Sequence, residues 1–167
     1  MVLSNAILND KIQVYSNLHW RKRTIRMDVL FFSTIADQVK KEINHKCGLN
    51  ISQTRILLFF DENKNQALAM GKLAEALNIS LSTLSRQLQQ KKTMSFINIT
   101  RSEKDSSKIV NLSEAGVTKA KELKKTLTKI ENLLFVYFDR DAANLFIKQL
   151  NQVADTSMTL EKMEEGA

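Results

Sequence analysis

Ser82, Thr83, Ser85, Arg86, Gln87, Gln89 and Gln90 lie in one short stretch, and each carries a group that can donate to or accept from the edge of a base pair. Arginine can meet guanine through two parallel hydrogen bonds, glutamine can meet adenine, and short hydroxyls can meet phosphate or base. Between Leu77 and Lys92 no carboxylate interrupts the run. Such a set suits recognition of a polyanion rather than the making or breaking of bonds. Leu81, Leu84 and Leu88 recur at the interval that places them along one side of a helix, which leaves the polar set on the other sides. An amphipathic helix whose polar side meets only water is the plain alternative. The acid-free composition and the flanking segments weigh against it.

The elements that must position these residues follow from the neighbouring patterns. Upstream, Leu73, Ala74 and Leu77 form the apolar face of a supporting helix, with Lys72, Glu75 and Asn78 left for solvent. Asn78-Ile79-Ser80 is a polar elbow between the two. The pair reads as a helix-turn-helix in which the second helix, from Ser80 to Lys91, does the reading and Ser80 joins the contacting residues. Downstream, Ser95 to Thr100 and Lys108 to Leu112 are β-branched runs around the polar segment from Arg101 to Ser107, so a hairpin is expected. A reading helix followed by a hairpin is the arrangement of a winged helix. Arg101, Lys104 and Lys108 would bring positive charge to the backbone beside the helix.

Five segments, in this order and near this spacing, carry a family resemblance: Ile51 to Leu58, Lys72 to Leu77, Ser82 to Arg86, the wing with Asp105, and Leu112 to Gly116. From about Leu30 to the last helix the chain resembles the MarR family of winged helix-turn-helix transcriptional regulators. The resemblance implies a mainly α fold with a small β-hairpin wing and a helical dimerisation region. It also implies a homodimer on a pseudo-palindromic double-stranded DNA operator, with repression the expected mode, and control by a small, often aromatic or anionic ligand bound between the DNA-binding lobes and the dimer helices. Against the family pattern, Lys91 replaces a core leucine, Ser95 a turn glycine and Ile99 a frequent arginine, and Ser107 stands where an arginine normally follows the wing aspartate. The segment from Asp105 to Leu112 is also one residue short. Arg86 therefore carries over directly, whereas the wing contact passes to Arg101 and Lys104.

Charge and composition bound the rest. With 167 residues, 43% of them hydrophobic, no proline and four glycines, the chain suits one compact, largely helical protomer. Residues 1–49 hold eight Lys or Arg against four acids, residues 50–113 nine against five, and residues 114–167 eight against nine, so the +7 excess sits in the first two-thirds. A basic reader of this kind should bind nucleic acid with a steep salt dependence. No apolar run reaches the roughly 20 residues needed to span a bilayer, and the first residues lack signal-peptide blocks, so no membrane partner and a cytoplasmic location are expected. The lone Cys47 fits a reducing compartment.

The flanks have a different task. Val29, Leu30, Phe32, Ile35, Ala36, Val39 and Ile43 form an apolar face that stops near Gly48. Ser113 can cap a helix carrying Val117, Ala120, Leu123, Leu127, Ile130 and Leu134, and Asp139 or Asp141 can start another carrying Leu145, Phe146, Leu150 and Val153. The expected division is 1–28, a helical extension; 29–48, a first dimerisation helix; 49–113, the winged-helix lobe; and 114–167, the C-terminal dimerisation helices. In the extension, His19-Trp20-Arg21-Lys22-Arg23 could form a DNA-touching arm, a segment over the partner subunit or a solvated surface.

Enzymatic readings find no purchase: two histidines, no paired cysteines, no phosphate loop and no nucleophile elbow. No cofactor and no metal are expected, since His45 and Cys47 are too few ligands. Cys47 as an oxidant sensor lacks neighbours, beyond His45 and Lys46, that would lower its pKa. The competing class is a winged-helix module that has lost DNA reading and binds another protein, favoured by Ile99 and Ser107. RNA reading is opposed by the lack of a stacking aromatic.

Overall fold

The computed structural model describes residues 25–101 and 107–157. The chain divides into two compact units, residues 1–41 and 42–167. Of the first, the described part belongs to helix α1 (Ile25–Cys47), on which Leu30, Phe32 and Ile35 are exposed. Most of the expected extension lies outside the described residues.

The second unit takes in the last residues of α1, from Glu42. Gly48 takes a left-handed conformation (φ 64°) and its N–H bonds Asn44 O at 2.7 Å, the helix stop expected of a glycine there. Asn50 then opens α2 (Ile51–Glu62) with a reciprocal cap. Its Oδ1 accepts from Gln53 N at 2.9 Å while its own N–H donates to Gln53 Oε1 at 3.0 Å. Ile56, Leu57 and Phe60 on α2 are buried with Leu49, Leu73, Leu84, Leu88, Val110 and Leu123, and this cluster is the core. The apolar spacing in each element makes it possible, because all of these side chains except that of Leu49, which lies between α1 and α2, fall on the inward side of their own helix or strand.

Around that core run β1 (Leu68–Ala69), α3 (Met70–Ala76), α4 (Leu81–Leu88), α5 (Lys91–Met94), β2 (Ile97–Arg101), β3 (Lys108–Leu112), α6 (Glu114–Leu134) and α7 (Arg140–Ser157). The sheet has the order β1-β3-β2, with Ile97 opposite Leu112, Arg101 opposite Lys108, and Leu68 opposite Val110, all antiparallel. The mainly helical fold with a β-hairpin wing is therefore present as expected.

Several boundaries differ from the sequence expectation. The reading helix ends at Leu88 rather than Lys91, because Gln90 is extended (φ −61°, ψ 128°) and the chain restarts as α5. Just past that break Thr93 is buried, and its Oγ1 accepts from Gln53 Nε2 at 3.2 Å, while Lys91 is exposed. Ser95 and Phe96 belong to the turn after α5, not to a strand; Phe96 N bonds Thr93 O at 2.9 Å and β2 starts at Ile97. Leu81 is not part of the buried stripe: it is 53% exposed, whereas Leu84 and Leu88 are fully buried.

Two devices hold the wing to the core. Asn65, left-handed at φ 55°, donates from Nδ2 to Leu112 O at 3.1 Å and accepts Leu112 N on Oδ1 at 2.7 Å. Its amide thus supplies the donor and acceptor that a strand neighbour would offer. At the other side, Ser113 caps α6 by accepting Gly116 N at 3.1 Å, and its N–H and hydroxyl bond Phe96 O and Ser95 O, each at 3.0 Å. Across α2 and α6, Lys124 Nζ lies 2.7 Å from Asp61 Oδ2, and that hydrogen bond and charge hold the ammonium pKa above the ordinary lysine value.

Candidate nucleic-acid interface

The reading helix is set by what precedes it. Leu77 closes α3, Asn78 turns left-handed at φ 52°, and Ile79 N reaches back to Ala74 O at 3.0 Å. Asparagine tolerates that conformation where a branched residue would not. The Arg55 guanidinium donates to Leu77 O and satisfies a carbonyl at the end of α3. Ser80 is the N-cap of α4: its Oγ accepts Thr83 N at 3.1 Å and lies 2.9 Å from Ser82 Oγ and 2.8 Å from Thr83 Oγ1. The Ser80 hydroxyl thus fixes the helix start and gathers the next two hydroxyls around it.

Leu84 and Leu88 set the rotation of α4. At about 100° per residue, Ser82, Arg86 and Gln89 face away from the core, and all three are exposed, with Thr83 half-buried at their edge. Ser85 is half-buried on the flank turned toward the wing, 3.5 Å from Gln89 Nε2. Gln87 lies on the opposite flank, beside a small gap of about 10 Å³ bordered by Ser52, Arg55, Leu77 and Ile79, roughly the space of one water. Gln90, past the helix end, accepts from Asn50 Nδ2 at 3.4 Å. The sequence-predicted set is thus divided: Ser82, Arg86 and Gln89 share the outward face, Ser85 faces the wing side, and Gln87 and Gln90 lie against the supporting elements.

At the wing, Arg101 and Lys108 are exposed and directly opposite each other at the outer end of the hairpin. Like charges in opposed positions on a sheet are unfavourable unless an anion comes between them. Lys104 lies outside the described residues. Between wing and reading helix is an open cleft of about 540 Å³, lined by Ala69, Met70 and Gly71 at the start of α3, by Leu81, Ser82 and Ser85, and by Ser107 and Lys108. Sequence reasoning missed Gly71 and Leu81 as parts of this surface. The signal for Leu81 was its place in the first turn, where a helix can outrun the core that supports it.

Other chemistries are poorly supplied. Among the described residues no cluster of His, Cys, Asp or Glu could hold a metal ion, and no helix is long and apolar enough to cross a membrane. Cys47 is buried at 4% exposure and its Sγ donates to Thr126 Oγ1 at 3.3 Å, a packed small side chain rather than a surface thiol.

No family model matches the sequence, and no curated protein matches it. The backbone does have counterparts among solved structures. MarR superposes with a TM-score of 0.67 at 19% identity, over 86% of this chain and 97% of that one. A Staphylococcus aureus MepR–DNA complex gives 0.68 at 16% identity, over 81% and 99%. AbsC, a MarR family transcriptional regulator from Streptomyces coelicolor, gives 0.65 at 18% identity, over 83% and 98%. AbsC and MepR are described as transcription regulators. With its three-stranded wing, helix-turn-helix and long terminal helices, the chain has the winged-helix fold of the MarR-family regulators.

Proposed function

We propose that this chain is a sequence-specific double-stranded DNA-binding transcriptional regulator of MarR type, acting as a homodimer and, by expectation, repressing. The observation that carries the reading is the outward face of α4: Ser82, Arg86 and Gln89 held there by two fully buried leucines, without a carboxylate, and beside the Arg101–Lys108 pair. Arg86 is the proposed base reader, Ser82, Thr83, Ser85 and Gln89 add base or phosphate contacts, and Arg101 with Lys104 meets the flanking backbone. Ser80, Gln87 and Gln90 complete the proposed DNA contacts, Ser80 also as the cap of α4 and Gln90 also through its bond from Asn50.

The dimer is supported by the C-terminal helices. No residue of α7 is buried, although Leu145, Phe146, Leu150 and Val153 line one side of it, and Leu133 and Leu134 at the end of α6 and Val136 and Tyr137 in the turn after it are exposed. A helix of this length draws its stability from covering such a face. A second copy is the occupant that a two-fold operator requires, with reading helices about 34 Å apart. Control by a small ligand that favours one separation of the lobes follows from the family resemblance. A DNA reader works where the DNA is, which agrees with the cytoplasmic location expected from the sequence.

The test is titration of the purified protein against genomic fragments and random duplexes at two salt concentrations, with solution mass recorded. Salt-sensitive binding by a dimer, with some fragments resisting competitor, is expected. Arg86→Ala should then weaken the resistant fragments by about 1–3 kcal/mol and random duplex far less. A folded dimer that binds no duplex at low salt would turn the reading to a protein-interaction module.

A further inference from the structure

The cleft between wing and reading helix contains two features that the fold does not explain. Leu81 is a large apolar side chain, 53% exposed, on a helix whose other exposed positions are all polar. It contributes little to the core, which Leu84 and Leu88 already fill. Beside it is Gly71, whose backbone is not left-handed and whose added Cβ would meet nothing within 4 Å. No turn and no close packing inside the protein calls for glycine at that place. What glycine provides there is room, since its backbone can be approached more closely than that of any other residue. The surroundings are apolar on one side, with Ala69 and the buried Met70, and polar or cationic on the other, with Ser82, Ser85 and Lys108.

We propose that Leu81 is a specificity-determining residue that reads the 5-methyl group of a thymine on a DNA strand drawn into this cleft over Gly71. The inference rests on the DNA-binding reading above and deepens it. The reasoning is chemical: thymine is the one base with an apolar group on its major-groove edge, and an apolar side chain in the first turn of a reading helix is placed where base edges are met. Leu81 rewards that methyl by desolvation and offers nothing to the hydrogen-bonding edges of the other bases. Lys108 on the far wall of the cleft supplies charge opposite to that of the strand. Gly71 sets the depth to which the strand can sink, and so whether Leu81 reaches the base.

The experiment uses the full-length protein and a duplex it selects from a random-sequence pool, resynthesised with each thymine in turn replaced by deoxyuridine, which differs only in that methyl. The expected result is one position, repeated in each half of the site, at which deoxyuridine weakens binding by about fourfold, the worth of burying one methyl-sized group. Leu81→Ala, which removes the contact in both halves of the site, should bind the thymine duplex weaker by roughly fifteenfold, two such losses multiplied, and no longer distinguish the two bases. Selection of a defined sequence with deoxyuridine neutral at every position would overturn the proposal, as would persistent discrimination by Leu81→Ala. Failure to select any sequence would overturn the regulator reading itself, a result plainly different from the first two. Gly71→Ala should weaken all duplexes, by roughly tenfold, while leaving the thermal midpoint unlowered. Unchanged affinity in that variant would overturn the cleft as the seat of the strand.

Discussion

Replacing Gly116 by alanine is expected to lower the free energy of unfolding by about 3 kcal/mol or more, the largest loss expected from adding a single carbon. A Cβ at 116 would stand 2.0 Å from Phe96 O and 2.9 Å from Phe96 C, with Leu112 Cβ at 3.2 Å. The first two are backbone atoms, so no rotamer change can relieve them. Phe96 O is also the acceptor for Ser113 N at 3.0 Å, so the shift that makes room breaks the clasp between the start of α6 and the start of the wing. Chemical denaturation followed by circular dichroism reads the loss as a lower midpoint with an unchanged slope. Gly71→Ala is the internal control: it adds the same carbon to a helical position with open space, and helix propensity favours it by up to about 1 kcal/mol. Equal stability losses in the two variants would mean that the clasp at Gly116 is not a close approach.

For the homodimer proposed above, introducing aspartate at both Leu133 and Leu145 is expected to leave a monomer and to weaken binding to the selected duplex by about two orders of magnitude or more, the usual worth of joining two binding events. Leu133 is 73% exposed and Leu145 57% exposed within one chain, so each charge is hydrated in the monomer and the protomer keeps its fold. Between two chains the same carboxylates would face an apolar seam without a counter-charge, and desolvation would oppose association. The neighbouring Phe135, Phe138 and Phe146 rings, with centroids 5.4–5.8 Å apart, already satisfy one another within the chain and should stay packed. Sedimentation together with titration of the operator separates the outcomes. A double variant that stays dimeric would place the dimer contact elsewhere, and one that is monomeric yet binds undiminished would mean that a single reading helix suffices.

The sequence made the helices legible because their signals are local and repeated. Gly48, Asn78 and Ser113 each stop, turn or start a helix through their own backbone or side chain, and each does so in the structure. The short elements were not legible: β1 has two residues and α5 four, below the length at which any period can be counted. The burial of Thr93 was not legible either, because its partner, Gln53, lies forty positions away and no local pattern connects them. Leu81 was misplaced for a related reason. Periodicity gives the side of a helix but not how far the core extends along it, and the buried stripe of α4 begins at Leu84, one turn after Leu81. At the candidate interface, composition drew attention to α4, and the packing divides its polar residues into those facing outward and those, such as Gln87 and Gln90, lying beside supporting elements.

Cys47 gives the molecule a clock. It is the chain's single thiol, buried under α6 and bonded to Thr126, so a thiol reagent must wait for the end of α1 to part from α6. The labelling rate at saturating reagent should therefore report how often that seam opens. DNA or a ligand that favours the closed arrangement should slow the clock, and one that pries the seam should speed it. A labelling rate equal to that of a free thiol would mean that the seam is not closed in solution.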